Sequence, residues 1–310
     1  MPAFLISRLS ALGDTVCSLP AAAALKKAFP EARITWAVDP RFAGIVECCT
    51  AVDEVVRVKP SLKTIPTYAE RFDAALDLQG LLKSALCISR AKADRKVGYH
   101  WQREGSWLFS SKVTPDPSSF HIVDQYVDVA RAVGGEAHRA DFALKPKEED
   151  ILSVRRKLKE RGVVGRIVVV NAGAGWATKR WPAEHFAKVI DEIHREGVRA
   201  VLVGGKADAD REAADAVISR CAEPPADLSG ATSVRELVAL VRLASCHLGG
   251  DTGSTHLAAA LDVPAVGLYS ITRPRRSCPY GQFDRWFYEP EGLANIRPEP
   301  VADRIRDILR

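Results

Sequence analysis

The sequence predicts an α/β protein of two units, each built on a parallel sheet. Three observations carry that expectation. Short apolar runs alternate with amphipathic ones along the 310 residues, the pattern of strands joined by right-handed helical crossovers. Runs such as "RIVVVNAG" are largely apolar, as strands buried on both faces are. A polar stretch, "LKPKEED", separates two regions of similar length.

In the first region, "AFLIS" reads as a buried strand and "LPAAAALKKAF" as a helix with Pro20 in its first turn. "RITWAVD", "EVVRV", "AALDLQ" and "KVGYH" read as further strands. "FAGIVECC", "LLKSALCISRA" and "FHIVDQYVDVARAVG" read as helices, the last closed by Gly134 and Gly135. In the second region the strands are "RIVVVNAG", "RAVLVGG", "CHLGGD" and "PAVGLYS". The helices between them begin with "EDILSVRRKLKERG" and "PAEHFAKVIDEIHREG", where Phe186, Ile190 and Ile193 line one face. "ADREAADAVISRC", "VRELVALVRLA" and "STHLAAAL" follow, and "PEPVADRIRDILR" closes the chain as a short amphipathic helix. The expected division is 1–147, 148–297 and a closing helix at 298–310. Two such units make Rossmann-like domains with a cleft between them.

Composition sets the class. Hydrophobic residues make up 47% and charged residues 27% of the chain, the balance of a soluble globular protein. No run approaches the roughly 20 apolar residues of a membrane span, and no secretory leader is visible. Seven cysteines without a CxxC spacing argue against a metal site or a disulfide framework and for a reducing compartment. Net charge is +5 but uneven: Lys83, Arg90, Lys92, Arg95, Lys96, Arg103 and Lys112 stand against Asp94 and Glu104 between Leu78 and Pro115. Such a stretch is either a solvated face or a surface for an anionic partner. Trp101 and Trp107 interleave with it, but no recognised nucleic-acid module is present, and no nucleic-acid partner is expected.

In open α/β sheets ligands sit beyond the carboxyl ends of the strands, so the chemistry belongs to the loops there. The loop after "AFLIS" carries one glycine, Gly13, followed by Asp14. Asp14 either caps the helix or acts on a substrate. "NAGAGWATKRWP" has Gly173 and Gly175 but Thr178 where a dinucleotide fingerprint needs its third glycine. With Lys179 and Arg180, this loop suits a diphosphate or is a tight turn with surface cations. "HLGGDTGSTHLAAAL" is the richest stretch. Its small residues admit a ligand close to the backbone, and its helix start favours phosphate. Asp251 or Thr252 as a helix cap explains one residue of the cluster, not the rest.

"RLSALGDTVCSLP", "DLQGLLKSAL", "TKRWP" and "DTGSTHLAAAL", in that order, with the closing "IRPEPVADRIRDIL", resemble the bacterial lipopolysaccharide heptosyltransferases of glycosyltransferase family 9. The resemblance covers essentially the whole chain. It implies the GT-B architecture, two Rossmann-like domains with parallel sheets facing across a cleft, and a last helix that crosses back to the first domain. It implies an inverting transfer of L-glycero-D-manno-heptose from ADP-heptose to a Kdo residue of Kdo2-lipid A, in lipopolysaccharide inner-core synthesis. "RLSALGD" and "DLQGLLKSA" look most like heptosyltransferase I; heptosyltransferase II, or a transferase with another sugar nucleotide or core acceptor, is the alternative.

Carried over by position, Asp14 matches the catalytic base. Thr178 and Lys179 match donor phosphate contacts, and Asp251, Thr252, Gly253 and His256 match the donor-binding loop. Asp208, Asp210 or Glu212 is a candidate for the ribose hydroxyls, and Gly230 to Ser233 falls at the adenine loop. The basic stretch then has an anionic, lipid A-type acceptor as its partner, with Lys83, Arg103 and His121 nearest it. No cofactor and no metal are required; ADP-heptose is a substrate. The expected location is cytoplasmic, peripheral on the inner face of the inner membrane. One departure is the segment "KPSLKTIPTYAERF", shorter and less basic than its counterpart in the family pattern, which bears on the acceptor rather than on donor chemistry.

Overall fold

"AFLIS" forms β1 (Ala3–Ser7), whose Leu5 and Ile6 are fully buried because strands lie on both sides of it and helices pack above and below. The computed structural model describes residues 1–59, 61, 63–137, 140–173 and 180–310. Within them the chain divides into two units, Met1–Lys145 and Pro146–Arg310.

In the first unit β1 is followed by α1 (Leu12–Ala28), β2 (Arg33–Val38), α2 (Ala43–Val46), β3 (Glu54–Arg57) and β4 (Arg71–Asp77). Then come α3 (Leu82–Ser89), β5 (Lys92–Gly98), β6 (Ser111–Lys112) and α4 (Ile122–Arg131). The strands lie in the order β3-β2-β1-β4-β5-β6, and every pairing is parallel. The order reverses direction between β1 and β4, so the loops leaving those two strands diverge and open a crevice. The helix expected over "LPAAAALKKAF" begins seven residues earlier, at Leu12, so Asp14 lies in its first turn. Pro20 accordingly sits inside the helix rather than in its first turn. It is buried there, and it leaves one carbonyl of the preceding turn without its N–H.

The second unit repeats the plan with α5 (Glu148–Glu160), β7 (Ile167–Asn171), α6 (Ala183–Arg195), β8 (Arg199–Val203), α7 (Asp208–Ile218) and β9 (Ala226–Asp227). It continues with α8 (Val234–Leu243), β10 (Cys246–Gly250), α9 (Gly253–Ala260), β11 (Ala265–Tyr269), α10 (Pro274–Ser277), β12 (Trp286–Tyr288) and α11 (Pro298–Leu309). The order β12-β11-β10-β7-β8-β9 is again wholly parallel, with its switch point between β7 and β10. Val168 and Val170 of β7 pack with Phe186, Ile190 and Ile193 of α6 in one core.

The closing helix differs from expectation. It was expected to cross back to the first domain, but Val301, Ala302, Ile305 and Leu309 of α11 belong to the core of the second unit, with α6 residues beside them. The apolar stripe that the helix carries is thereby buried against its own unit. Among the described residues no helix is long and apolar enough to cross a membrane.

Candidate active site

The two switch points hold most of the chemistry-bearing residues singled out above. In the first unit, β1 ends at Ser7 and delivers Arg8 to the crevice. Arg8 is 5% exposed. One terminal nitrogen donates to the Leu78 carbonyl at 2.6 Å, across the switch point, and the other lies 2.7 Å from Asp14 Oδ2. Its guanidinium also stacks 5.2 Å from the centre of the Tyr126 ring. Asp14 is thus held at one end while its side chain stays 51% exposed. Its carboxylate also sits 3.5 Å from the Ala11 N–H at the start of α1. Asp14 therefore has a capping position as well as an accessible oxygen.

The "DLQG" stretch braces this loop. Asp77, fully buried at the end of β4, accepts from the Gln79 and Gly80 N–H groups at 2.9 and 3.0 Å. Burial pushes its carboxyl above the ordinary range, while those N–H groups and the nearby Arg8 pull it down. Gln79 Oε1 accepts from Leu9 N–H at 3.0 Å, and its Nε2 donates to Ser10 Oγ at 3.3 Å. Lys83 Nζ reaches the same Ser10 oxygen at 3.3 Å, which puts this expected acceptor contact beside the Asp14 loop. Arg103 is exposed, and its backbone N–H donates to the Gly80 carbonyl at 2.8 Å. His121 is only 3% exposed, and its Nδ1 accepts from Val123 N–H at 3.2 Å as the cap of α4.

In the second unit, β7 ends on Asn171. Its Nδ2 donates to Ser254 Oγ at 2.9 Å and approaches Thr252 Oγ1 at 3.4 Å. Its Oδ1 accepts from Gly173 N–H at 3.0 Å. The first strand of each unit thus ends in a side chain that ties the two sides of the switch point together. Thr252 caps α9 in an extended conformation, and its hydroxyl lies 3.2 Å from those of Ser254 and Thr255. Thr255 donates to the Gly250 carbonyl at 2.6 Å. The Gly253 and Ser254 N–H groups open the helix, where helix geometry supplies no carbonyl for them. Asp251 Oδ1 and His256 Nε2 are 3.3 Å apart, so the ends of this loop are fastened to each other.

His247 lies beneath. Its ring is wholly buried, with Nε2 3.0 Å from Ser254 Oγ and, among the described residues, no hydrogen-bond partner for Nδ1. Burial, with the charge of His256 as the lesser cause, drives its pKa down to about 3, so the ring is neutral at physiological pH. A Cβ on Gly249 would stand 2.9 Å from His247 Cε1, and the glycine makes room for the ring.

Of the ribose candidates, Asp208 and Glu212 are exposed. Asp210 turns inward, its Oδ2 accepting from Gly205 N–H at 3.1 Å. A Cβ on Gly173 or on Gly205 would come within 2.6 or 2.4 Å of that carboxylate. Gly230 adopts a φ of +68°, and Ser233 caps α8 in a box with Glu236. Thr178 and Lys179 lie outside the described residues. Among the described residues no group of three or more His, Cys, Asp or Glu side chains is placed to hold a metal ion.

Arg8, Asp77, Gln79, Asn171 and His247 were not singled out from sequence. Arg8 and Asn171 had a usable signal, since each stands at the carboxyl end of its unit's first strand. His247 had none: within "CHLGGD" it looks like any residue of a buried strand.

The pattern of glycosyltransferase family 9 (heptosyltransferase) matches residues 66–295. The lipopolysaccharide heptosyltransferase 1 of Salmonella typhimurium is 29% identical over 321 residues, covering 97% of this chain and 99% of that protein. The lipopolysaccharide core heptosyltransferase OpsX of Haemophilus influenzae is 24% identical over 292 residues, covering 90% and 82%. The solved structure of Escherichia coli heptosyltransferase WaaC with ADP superposes with a TM-score of 0.78 at 24% identity, covering 99% and 100% of the two chains. That likeness establishes the fold, the GT-B type.

Proposed function

The chain belongs to glycosyltransferase family 9, the heptosyltransferases, and from that premise we propose that it moves L-glycero-D-manno-heptose from ADP-heptose to a Kdo residue of Kdo2-lipid A. The observation that carries the reading is the Asp14 carboxylate, half exposed at the β1–β4 switch point and fixed 2.7 Å from Arg8. It is an acceptor-only group with one oxygen oriented and free surface around it, which is what a general base requires.

The first unit holds the acceptor and the second holds the donor. The acceptor hydroxyl attacks the anomeric carbon from the face opposite ADP. Its proton passes to Asp14, the new glycosidic C–O bond forms, and the bond from the anomeric carbon to the phosphate oxygen breaks. ADP departs with that electron pair, and one displacement inverts the centre. Charge gathers on the leaving diphosphate, so stabilisation is most useful there. The Gly253 and Ser254 N–H groups, the Thr252 hydroxyl and Lys179 supply it. Asp210 takes the ribose hydroxyls. Support for an ADP-linked donor comes from the WaaC relative, which was solved with ADP.

A related transferase with a different core acceptor is the second reading, since OpsX, named only for the lipopolysaccharide core, also matches 90% of the chain. In either case the acceptor is an anionic lipid of the inner membrane, and the enzyme works peripherally on the cytoplasmic face. The test is ADP release from ADP-heptose with Kdo2-lipid A, with mass spectrometry of the lipid. The reading predicts a lipid heavier by one heptose. ADP released only with a different core lipid would favour the second reading, and none with any acceptor would overturn both.

A further inference from the structure

Between β5 and β6 the chain folds into a knuckle, residues 101–110, that is tied by hydrogen bonds to Gly80, to the start of α3 and within itself. The Gly80 carbonyl accepts from the Arg103 N–H at 2.8 Å and from Ser106 Oγ at 3.0 Å. Glu104 Oε2 accepts from Leu82 N–H at 3.2 Å, at the start of α3, where a carboxylate is favoured. Gln102 Nε2 donates to the Ser110 carbonyl at 3.1 Å and to its hydroxyl at 2.8 Å. Two successive left-handed residues, Glu104 at φ +56° and Gly105 at φ +80°, turn the chain at the tip. Gly80 itself has φ +71°, and a Cβ there would meet the Trp101 carbonyl at 2.4 Å. The glycine of "DLQG" is therefore what lets the knuckle seat.

Outside, beside the exposed charged residues Arg103 and Glu104, three large apolar side chains are left uncovered. Trp107 and Leu108, on a single 3-10 turn, are 58% and 76% exposed, and Trp101 is 53% exposed. Cations accompany them: Arg103 stacks 5.5 Å from the Trp101 ring, and the exposed Lys112 follows on β6. Tryptophan and leucine on a firm backbone beside Arg and Lys match the chemistry of an anionic bilayer surface. The indole sits at the headgroup level, the leucine enters the acyl boundary, and the cations meet the lipid charge.

We propose that the knuckle is a membrane-docking element, with Trp107 and Leu108 as its inserted tip. It is fastened through Gly80 and Leu82 to the start of α3, which carries Lys83, whose ammonium reaches Ser10 beside Asp14. Docking here brings the bilayer surface to the loop that holds the candidate base. The inference rests on the reading of the acceptor as lipid-borne.

The test is sedimentation of the full chain with vesicles, anionic (phosphatidylglycerol in phosphatidylethanolamine) or zwitterionic (phosphatidylcholine). The expected result is binding to anionic vesicles, weakened by added salt and reduced about tenfold or more in W107S/L108S. Brominated lipids should quench part of the tryptophan emission, and that part should vanish in W107F. The double variant should transfer to a water-soluble, deacylated acceptor as the wild type does, showing that it is folded. Equal vesicle binding by wild type and variant overturns the proposal, as does a wild-type dimer that W107S/L108S converts to monomer. Vesicle binding lost in the variant, with no lipid glycosylated by the wild type, leaves docking supported and refutes the acceptor reading.

Discussion

Arg8 and Asp14 are joined at 2.7 Å, and the second terminal nitrogen of the same guanidinium is spent on the Leu78 carbonyl at 2.6 Å. One side chain therefore fixes the candidate base relative to both arms of the switch point. A lysine ammonium is a point charge on a flexible stem and cannot hold both partners in this fork. Arg8→Lys should therefore lower kcat about tenfold while leaving ADP affinity unchanged by calorimetry. Equal loss of ADP binding would show that Arg8 acts on the whole fold rather than on Asp14.

Lys179 is one of the groups proposed to stabilise the leaving diphosphate. Lys179→Ala should reduce kcat/KM for the donor by roughly a hundredfold, the size of effect seen when one charge-stabilising group is removed. Unchanged donor kinetics would move the diphosphate site elsewhere.

His247 gives a pH signature. Folded, the ring stays neutral until about pH 3, because burial and then His256 oppose its charge. Unfolded, it takes a proton near pH 6.5. Its contribution is thus fully present above about pH 6.5 and is lost progressively as pH falls toward about 3, where the unfolded chain holds one more proton. The slope is at most about 1.4 kcal/mol per pH unit. His247→Gln should remove that one-proton slope from urea unfolding measured between these limits. An identical slope in the variant would show that the histidine titrates normally.

Gly80→Ala adds a Cβ that meets the Trp101 carbonyl at 2.4 Å, on a residue with φ +71°. Strain and displacement together should cost about 2–3 kcal/mol, read as a lower urea midpoint with an unchanged slope. A variant as stable as the wild type would mean that the knuckle seats without this glycine.

Much of this was legible in the chain, for physical reasons. Buried parallel strands leave unbroken apolar runs, so β1, β7 and β11 stood out, and the small-residue loop from Asp251 to His256 identified itself by composition. β6, β9 and β12 span only two or three residues, too few for any period to show. The start of α1 was hidden because "LGDTVCS" carries its polar residues into a helix whose first turns are mostly buried. The apolar stripe of α11 shows that it packs, but not on which unit. The switch-point side chains Arg8 and Asn171 needed the sheet order, since only the order says which two strand ends adjoin.

The account stands most directly on Asp14. The decisive measurement is turnover and ADP affinity, on one preparation, of wild type and Asp14→Asn with ADP-heptose and Kdo2-lipid A. The account predicts kcat reduced by a factor of about a hundred to ten thousand, with ADP binding intact by calorimetry. Turnover close to wild type in Asp14→Asn would contradict it.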